Sequence, residues 1–193
     1  MRVWARGAQW GVGQSPTDKV VNGCPQRLYP WGSAPTPLGP AAPDPLYAES
    51  LMLTQSQYPY TLLIPTRGMD NDVYGHVNNV VYYSYFDTVI NTYLIKNAGL
   101  DIHAQSRIGL CAESHCSFRA ALVFPQTITA GLCVEKLGTS SVRYGIGLFG
   151  ADPESPAATG WFVHVFVDGA TRRSVPIDGQ LRDALKTLLI DPN

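Results

Sequence analysis

The stretch Asn79-Val-Val-Tyr-Tyr-Ser-Tyr-Phe-Asp-Thr-Val-Ile-Asn-Thr-Tyr-Leu-Ile-Lys-Asn97 decides the fold of this chain. Its apolar side chains fall on nearly every side of a helix, and they are Val80, Val81, Tyr82, Tyr83, Tyr85, Phe86, Val89, Ile90, Tyr93, Leu94 and Ile95. A helix that is apolar on nearly every face must be surrounded by other elements rather than laid on a surface. Lys96 and Gly99 supply the cation and the glycine that favour a helix C-terminus. The stretch therefore predicts a long buried helix.

The sequence on both sides of this helix predicts β-strands. One strand, over 58–64, precedes the helix and is bounded by Pro65. Four more follow the helix, over 108–118, 126–137, 141–149 and 159–167. The turns that join them are short, such as Gly138-Thr139, so we expect mainly antiparallel pairing.

A second, amphipathic helix is predicted near the end of the chain. Asp178 stands where a helix N-cap would be, and one side of the helix would carry Leu181, Leu185, Leu188 and Leu189. The order of elements predicts an α+β domain, in which an antiparallel sheet of about five strands wraps around one long buried helix.

Composition narrows the class of function. The chain has 193 residues, of which 45% are hydrophobic and 15% charged, so it can bury a core. The formal net charge of -1 argues against a nucleic-acid partner, because binding phosphates needs an excess of Lys and Arg. No apolar run approaches the roughly 20 residues of a membrane-spanning helix, so we expect no membrane insertion. These features favour a protein that works on a small molecule.

The first 50 residues differ from the rest. They hold 8 of the 15 prolines and 6 of the 18 glycines, a composition that cannot propagate a helix or a central strand. We therefore predict a disordered extension over 1–50 and a folded domain over 51–193. Arg2 and Arg6, with no acidic residue before Asp18, leave open that the extension targets the chain to an organelle.

Cysteine usage predicts a reducing compartment. The four cysteines form no CxxC pair and no regular framework, so we expect free thiols and a cytoplasmic location. Cys111, His115 and Cys116 lie close together, but a strand would place Cys116 on the opposite face. We therefore expect no metal site.

A polar loop directly before the long helix carries the candidate chemistry. It contains Asp70, Asp72, His76, Asn78 and Asn79. A helix N-terminus leaves about four backbone N–H groups without intrahelical partners and carries partial positive charge, so it can polarise a carbonyl oxygen. Asp72 is close enough in sequence to face the same point. We expect Asn78 to be the N-cap and Asp70 to be solvated.

The block Asp70-x-Asp72-x-x-Gly75-His76-Val77-Asn78-Asn79-x-x-Tyr82-x-x-Tyr85-Phe86 resembles the signature of the hotdog-fold acyl-CoA thioesterases of the 4-hydroxybenzoyl-CoA thioesterase-like family. The resemblance extends from about Tyr58 to Leu189. It implies a hotdog fold and hydrolysis of acyl-CoA thioesters to free acid and coenzyme A. It also implies that no cofactor is needed, since coenzyme A enters as part of the substrate.

The resemblance assigns roles within the block. The second Asp of the family's block falls on Asp72, which would act as nucleophile or general base. The backbone N–H of Asn79 would be the oxyanion donor. His76 matches a catalytic histidine of related plant thioesterases, but Tyr74 stands where their asparagine would be, so Asp72 is the first candidate. Among the other residues of the block, we expect Gly75, Asn78 and Tyr82 to bind the substrate.

Coenzyme A needs cations and small hydroxyls that contact its phosphates. The predicted binding residues surround the turn between the third and fourth strands, and they are Lys136, Ser140, Ser141 and Arg143. Further candidate cations are Arg119, Arg172 and Arg173. Tyr82, Tyr85 and Phe86 would either line the acyl pocket or pack in the core.

A hotdog fold also allows two other functions, and it implies a particular assembly. A hotdog dehydratase or hydratase would act on the same thioesters, and a non-catalytic hotdog protein would only bind acyl-CoA. The resemblance implies a homodimer or homotetramer with active sites at the subunit interface, and unpaired strand edges favour the same conclusion. Glu113 and His115 could then reach the site of a neighbouring subunit.

Overall fold

The computed structural model describes residues 52–101, 104 and 106–190. The extension predicted over 1–50 lies outside the described residues, and so does Cys24. Its predicted disorder and targeting role therefore stay predictions, as does the cytoplasmic location.

The described residues form five strands and two α-helices in the predicted order. They are β1 (Tyr60–Pro65), α1 (Asn79–Lys96), β2 (Ile108–Phe118), β3 (Thr127–Leu137), β4 (Ser141–Phe149), β5 (Ala158–Val167) and α2 (Gly179–Lys186). Short 3-10 turns occur at Gln55–Gln57 and Gly68–Asp70. β2 and β4 have the predicted bounds. β1, α1, β3 and β5 differ from prediction by one or two residues at one or both ends, and α2 ends at Lys186, before the predicted helical residues Leu188 and Leu189.

The five strands form one sheet in the order β1-β3-β4-β5-β2. Every neighbouring pair is antiparallel, with registers such as Leu62 opposite Ala130 and Ile146 opposite Gly160. β1 and β2 are therefore the edge strands. A β-bulge interrupts β2 between Cys111 and Glu113. This sheet with α1 packed on it confirms the predicted α+β class.

Helix α1 buries one face against the sheet. Phe86 contacts Phe162 of β5 edge-on, with ring centroids 5.9 Å apart, and its ring occupies the space above Gly160. The buried residues of the helix are Tyr82, Tyr85, Phe86, Val89, Ile90, Tyr93 and Leu94. The expectation of enclosure on every face was wrong for the single chain. A stripe containing Val80, Ser84, Asp87, Thr88 and Ile95 is exposed, and three of these five side chains are polar or charged.

Helix α2 closes the end of the domain opposite the start of α1. Leu181, Leu185 and Leu188 are buried as predicted, whereas Leu189 is exposed. Asp178 occupies the N-cap position, but its side chain makes no capping hydrogen bond. Its carboxylate instead pairs with Arg107 at 2.7 Å, so the predicted capping role was wrong.

Within the described residues, neither helix has both the length and the apolar character that crossing a bilayer requires.

Candidate active site

The loop before α1 is a tight hairpin. Asn71 and Val77 form an antiparallel bridge, and the Asp72 N–H donates to the His76 carbonyl at 2.9 Å. The chain reverses at Gly75, whose φ of 90° is the left-handed conformation that glycine adopts without a Cβ penalty. The hairpin therefore holds Asp72 and His76 opposite each other.

The side chain of Asp72 is oriented by its own turn. Its Oδ1 accepts a 2.8 Å hydrogen bond from the Tyr74 N–H, an arrangement that short polar side chains favour in turns. The carboxylate is half-buried. In the described part of the chain, Oδ2 of Asp72 has no hydrogen-bond partner, so this oxygen is available to a substrate or a water. The Tyr74 side chain is exposed.

Asn78 begins α1 and confirms the N-cap prediction. Its side-chain oxygen accepts from the Val80 N–H at 3.2 Å, and its carbonyl accepts from the Val81 N–H at 2.9 Å. Its own N–H donates to the Asp70 carbonyl at 2.8 Å, which ties the helix start to the loop. The Asn79 N–H is the first of the helix and has no intrahelical acceptor. It is therefore a backbone donor in a region of partial positive charge.

Asp70 is not solvated, contrary to expectation. Its side chain is only 1% exposed, forms an ion pair with Arg67 at 2.9 Å, and accepts a 2.7 Å hydrogen bond from the Tyr85 hydroxyl. Burial alone would raise the pKa of Asp70, but the hydrogen bonds from Arg67 and Tyr85 outweigh burial and lower it below its usual value. Asp70 is thus a buried anchor between the loop and α1, which leaves Asp72 as the loop's accessible carboxylate.

Asp72 and the start of α1 share one groove. It is open to solvent, has a volume of about 500 Å³, and is lined by Asp72, His76, Val77, Asn79, Tyr82, Phe118, Arg119, Ala120 and Ala121. One wall is aromatic, because Tyr82 and Phe118 meet edge-on with ring centroids 5.0 Å apart. The Tyr82 hydroxyl accepts from the Leu122 N–H at 3.3 Å, which fixes this wall to the chain after β2.

The structure brings five of the predicted candidates into the groove, namely Asp72, His76, Asn79, Tyr82 and Arg119. Gly75 and Asn78 shape the hairpin and the helix start and do not line the groove. Tyr85 and Phe86 are core residues, so the core alternative holds for both.

Four residues predicted to bind coenzyme A lie elsewhere in the chain. Lys136, Ser140, Ser141 and Arg143 surround the β3–β4 turn, which contacts α2 through a 3.0 Å bond from Arg182 to the Gly138 carbonyl. α2 contacts α1 near its far end, where the Tyr93 hydroxyl donates to the Ala184 carbonyl at 2.8 Å, about 21 Å along the helix from Asn79. The structure therefore does not bring these four residues to the Asp72 groove of the same chain.

Arg143 already has partners on the outer face of the sheet. Its Nε forms a 2.6 Å ion pair with Glu135, and its guanidinium lies 4.0 Å from the ring centroid of Trp161. His115 stacks on the same indole and contacts the Ser117 hydroxyl at 3.0 Å.

Three further candidates lie on loops or at the sheet edge. Arg172 and Arg173 are exposed in the loop after β5, and Glu113 is exposed on β2. None of the three lines the groove.

Comparison with known proteins identifies the class. The family model of the thioesterase-like superfamily matches residues 67–185, and the chain belongs to this superfamily. The resemblance seen in the sequence is thereby confirmed. Membership supports thioester hydrolysis as the general activity.

Solved structures with this fold include close relatives. The PA5185 protein of Pseudomonas aeruginosa is 49% identical, with a TM-score of 0.69 over 70% of this chain and 95% of that one. The PA2801 protein of the same organism is 30% identical, with a TM-score of 0.63 over 67% of this chain and 99% of that one. Slr0204 from Synechocystis, a 1,4-dihydroxy-2-naphthoyl-CoA thioesterase, is 14% identical, with a TM-score of 0.60 over 66% of this chain and 95% of that one. At this identity the similarity shows the fold alone. No curated protein matches the chain.

Proposed function

We propose that this chain hydrolyses acyl-CoA thioesters to a free acid and coenzyme A. The observation that carries the proposal is the shared groove, in which the side chain of Asp72 and the first residue of α1, Asn79, line one open cavity. A thioester carbonyl in this groove would have a carboxylate on one side and a helix N-terminus on the other. Membership of the thioesterase-like superfamily supports the same reaction.

The proposed chemistry uses only water and groups of the chain. In the general-base route, Oδ2 of Asp72 takes a proton from water while the hydroxide adds to the carbonyl carbon. The tetrahedral oxyanion accepts a hydrogen bond from the Asn79 N–H and is stabilised by the partial positive charge at the start of the helix. Collapse expels the thiolate, which takes up the proton held by Asp72.

In the nucleophilic route, Asp72 itself attacks the carbonyl carbon and expels the thiolate. Water then hydrolyses the resulting anhydride. Both routes need Asp72 ionised and the Asn79 amide unobstructed. Both also give the same products, an acid and coenzyme A, without a cofactor.

Slr0204, which has the same fold, is a thioesterase that acts on a coenzyme A thioester, and this supports coenzyme A as the thiol half of the substrate. The edge-on pair of Tyr82 and Phe118 gives the groove an apolar wall that an acyl group can contact. The acyl group itself is best assigned by assay, with short-chain, long-chain and aromatic acyl-CoAs tested side by side.

The test is release of free thiol, followed colorimetrically, by the wild type and by Asp72→Asn. We expect the variant to lose at least about 100-fold in kcat, which is the scale of a lost general base, while its circular dichroism is unchanged. The matched control is Asp152→Asn. Asp152 is an exposed loop aspartate whose Oδ1 also accepts an N–H two residues on, from Glu154 at 2.9 Å.

Three results would contradict the proposal. A folded Asp72→Asn variant with the wild-type rate would exclude Asp72 as the catalytic group. Conversion of acyl-CoA without thiol release would favour a dehydratase or hydratase. Binding of acyl-CoA without any conversion would favour a non-catalytic protein.

We also propose that the chain assembles as a homodimer or homotetramer through β2. β2 is an edge strand of eleven residues, and its Leu110 side chain is 42% exposed. A long edge with exposed apolar groups is suited to pairing with another strand. Light scattering should show that Leu110→Lys yields monomers, whereas Leu63→Lys on the other edge strand, at a side chain 68% exposed, does not. The reverse result would exclude the β2 edge.

A further inference from the structure

Arg119 is held at the rim of the groove by its backbone. The N–H groups of Arg119 and Ala120 both donate to the Ala157 carbonyl, at 2.8 and 3.0 Å. The preceding residue, Phe118, packs against Tyr82 of α1. The chain direction after β2 is thus set on both sides of Arg119, and its side chain lines the same groove as Asp72.

Among the residues that the structure describes, the side chain of Arg119 has no partner, whereas four other arginines each contact one. Within the described residues, its guanidinium forms neither an ion pair nor a hydrogen bond, and it is the one Lys or Arg that lines the groove. The arginines with partners are Arg67 with Asp70, Arg107 with Asp178, Arg143 with Glu135, and Arg182 with the Gly138 carbonyl. Arg119 therefore has its full set of planar donors available to a ligand.

We propose that Arg119 binds an anionic group of the thioester substrate and thereby determines which thioesters the groove accepts. The inference rests on the proposed function and deepens it by naming the residue that recognises the negative charge of the substrate. A guanidinium binds phosphate or carboxylate with two parallel hydrogen bonds. The anion is a phosphate of the coenzyme A half or a carboxylate on the acyl half. In either case Arg119 acts on binding, and Asp72 acts on the reacting carbonyl.

The experiment compares wild type with Arg119→Gln on three thioesters. These are an acyl-CoA, the same acyl group on N-acetylcysteamine, which carries no anion, and a carboxylated acyl group on N-acetylcysteamine. We expect KM to rise roughly tenfold for a substrate that carries the recognised anion, with kcat nearly unchanged and with no effect on the neutral thioester. A rise with acyl-CoA alone identifies the phosphates, and a rise with the carboxylated thioester identifies the acyl half.

The control is Arg173→Gln, because Arg173 is an exposed arginine outside the groove. Arg119→Lys should recover part of the lost affinity, since it restores the charge without the planar pair of donors. The proposal is overturned if Arg119→Gln changes no KM. It is also overturned if the neutral thioester loses as much as the charged ones.

A binding measurement separates this proposal from the catalytic one. Calorimetry uses an acyl-CoA whose acyl group also carries a carboxylate, so that both candidate anions are present. It compares Asp72→Asn with the double variant Asp72→Asn, Arg119→Gln, and no turnover is needed. If wild type hydrolyses no thioester but the double variant binds roughly tenfold more weakly, hydrolysis is refuted and the Arg119 site stands. If wild type is active and both variants bind equally, the Arg119 site is refuted and hydrolysis stands.

Discussion

The hydroxyl of Tyr85 donates a 2.7 Å hydrogen bond to Oδ2 of Asp70, fifteen residues earlier in the chain. This bond joins the second turn of α1 to the loop that carries Asp72. The Asp70 carbonyl also accepts the N–H of the N-cap residue Asn78. The two loop carboxylates therefore divide their tasks. Asp70 fixes the loop on the helix, and Asp72 is left accessible beside the helix start.

Removing the Tyr85 hydroxyl should destabilise the fold. Tyr85→Phe keeps the buried ring and leaves the Asp70 carboxylate short of one donor, which costs about 1.5–3 kcal/mol for a hydrogen bond to a charged group. Urea unfolding measures the loss. Tyr83→Phe is the control, because Tyr83 makes ring contacts but no hydroxyl hydrogen bond in the described residues. Equal losses in the two variants would contradict a specific role for the Tyr85–Asp70 bond.

The same carboxylate should give the protein an acid-sensitive contribution to stability. The folded pKa of Asp70 is lowered below its ordinary value of 3.8, because hydrogen bonds from Arg67 and Tyr85 outweigh burial. The unfolded chain therefore binds the proton more readily, so this contribution is full above the ordinary value and is lost as pH falls through the folded value. The difference in unfolding free energy between wild type and Asp70→Asn should shrink from pH 6 to pH 2.5.

The control for this acid dependence is Asp183→Asn at an exposed position of α2. Its difference from wild type should stay small throughout the range. An Asp70→Asn difference that is constant with pH would exclude the ionised Asp70 as its source.

His164 should make the fold sensitive to mild acid. It is 3% exposed on β5, and its Nδ1 has no partner in the described residues. Burial lowers the pKa of His164, and the Asp87 carboxylate opposes this with a smaller effect. The other titratable neighbours of His164 are Tyr144, whose ring it contacts, and Cys111, its partner on the adjacent strand. The unfolded chain takes up this proton first as pH falls below about 6.5, so stability should decrease from there.

The measurement is Tm between pH 7.5 and 5.5. Wild type should lose Tm over this range, and His164→Gln should lose clearly less, because no imidazole is left to charge. His76→Gln, at an exposed histidine of the loop, should retain the wild-type slope. If the slope persists in His164→Gln but disappears in His76→Gln, the pH dependence comes from His76 and the prediction for His164 is refuted.

The sequence predicted the helices and strands well, but it did not predict which side chains contact each other. Helix α1 and the strand bounds follow from local periodicity and turn residues, and the Asn78 cap follows from a side chain two residues from its partner. The roles of Asp70 and Asp72 could not be told apart in the same way. They depend on Tyr85, which reaches back to Asp70 only once the helix is packed.

The positions of the candidate cations were also beyond local reasoning. Arg119 lies in the groove because the chain after β2 is held against Ala157 and next to α1. The β3–β4 turn lies at the other end of the helix because β3 begins opposite the end of β1, with Thr127 against Pro65, and runs antiparallel to β1 away from the loop. Both facts are properties of the sheet topology, which residue spacing does not contain.

A glycine on the outer face of the sheet offers the last test. The Tyr58 ring lies directly over Gly131 of β3, so that a Cβ there would come within 2.6 Å of the ring's Cδ2 and would also collide with Cγ. Cγ can move away only if the whole side chain takes another χ1 rotamer or the backbone shifts, because Cγ is the first atom beyond Cβ. Tyr58 in turn packs edge-on against Phe149, at 5.8 Å between ring centroids. Gly131→Ala should therefore lower the unfolding free energy by about 1–3 kcal/mol, the usual cost of overpacking.

Gly68→Ala is the control, because a Cβ there would meet only Cε1 of Phe124, at an ordinary 3.9 Å. A double-mutant cycle identifies the cause of the loss. Tyr58→Ala removes the ring, so adding Gly131→Ala to that variant should cost much less than it does in wild type. If the glycine substitution costs the same with and without the ring, the loss comes from the β3 backbone, and Tyr58 does not require a glycine beneath it.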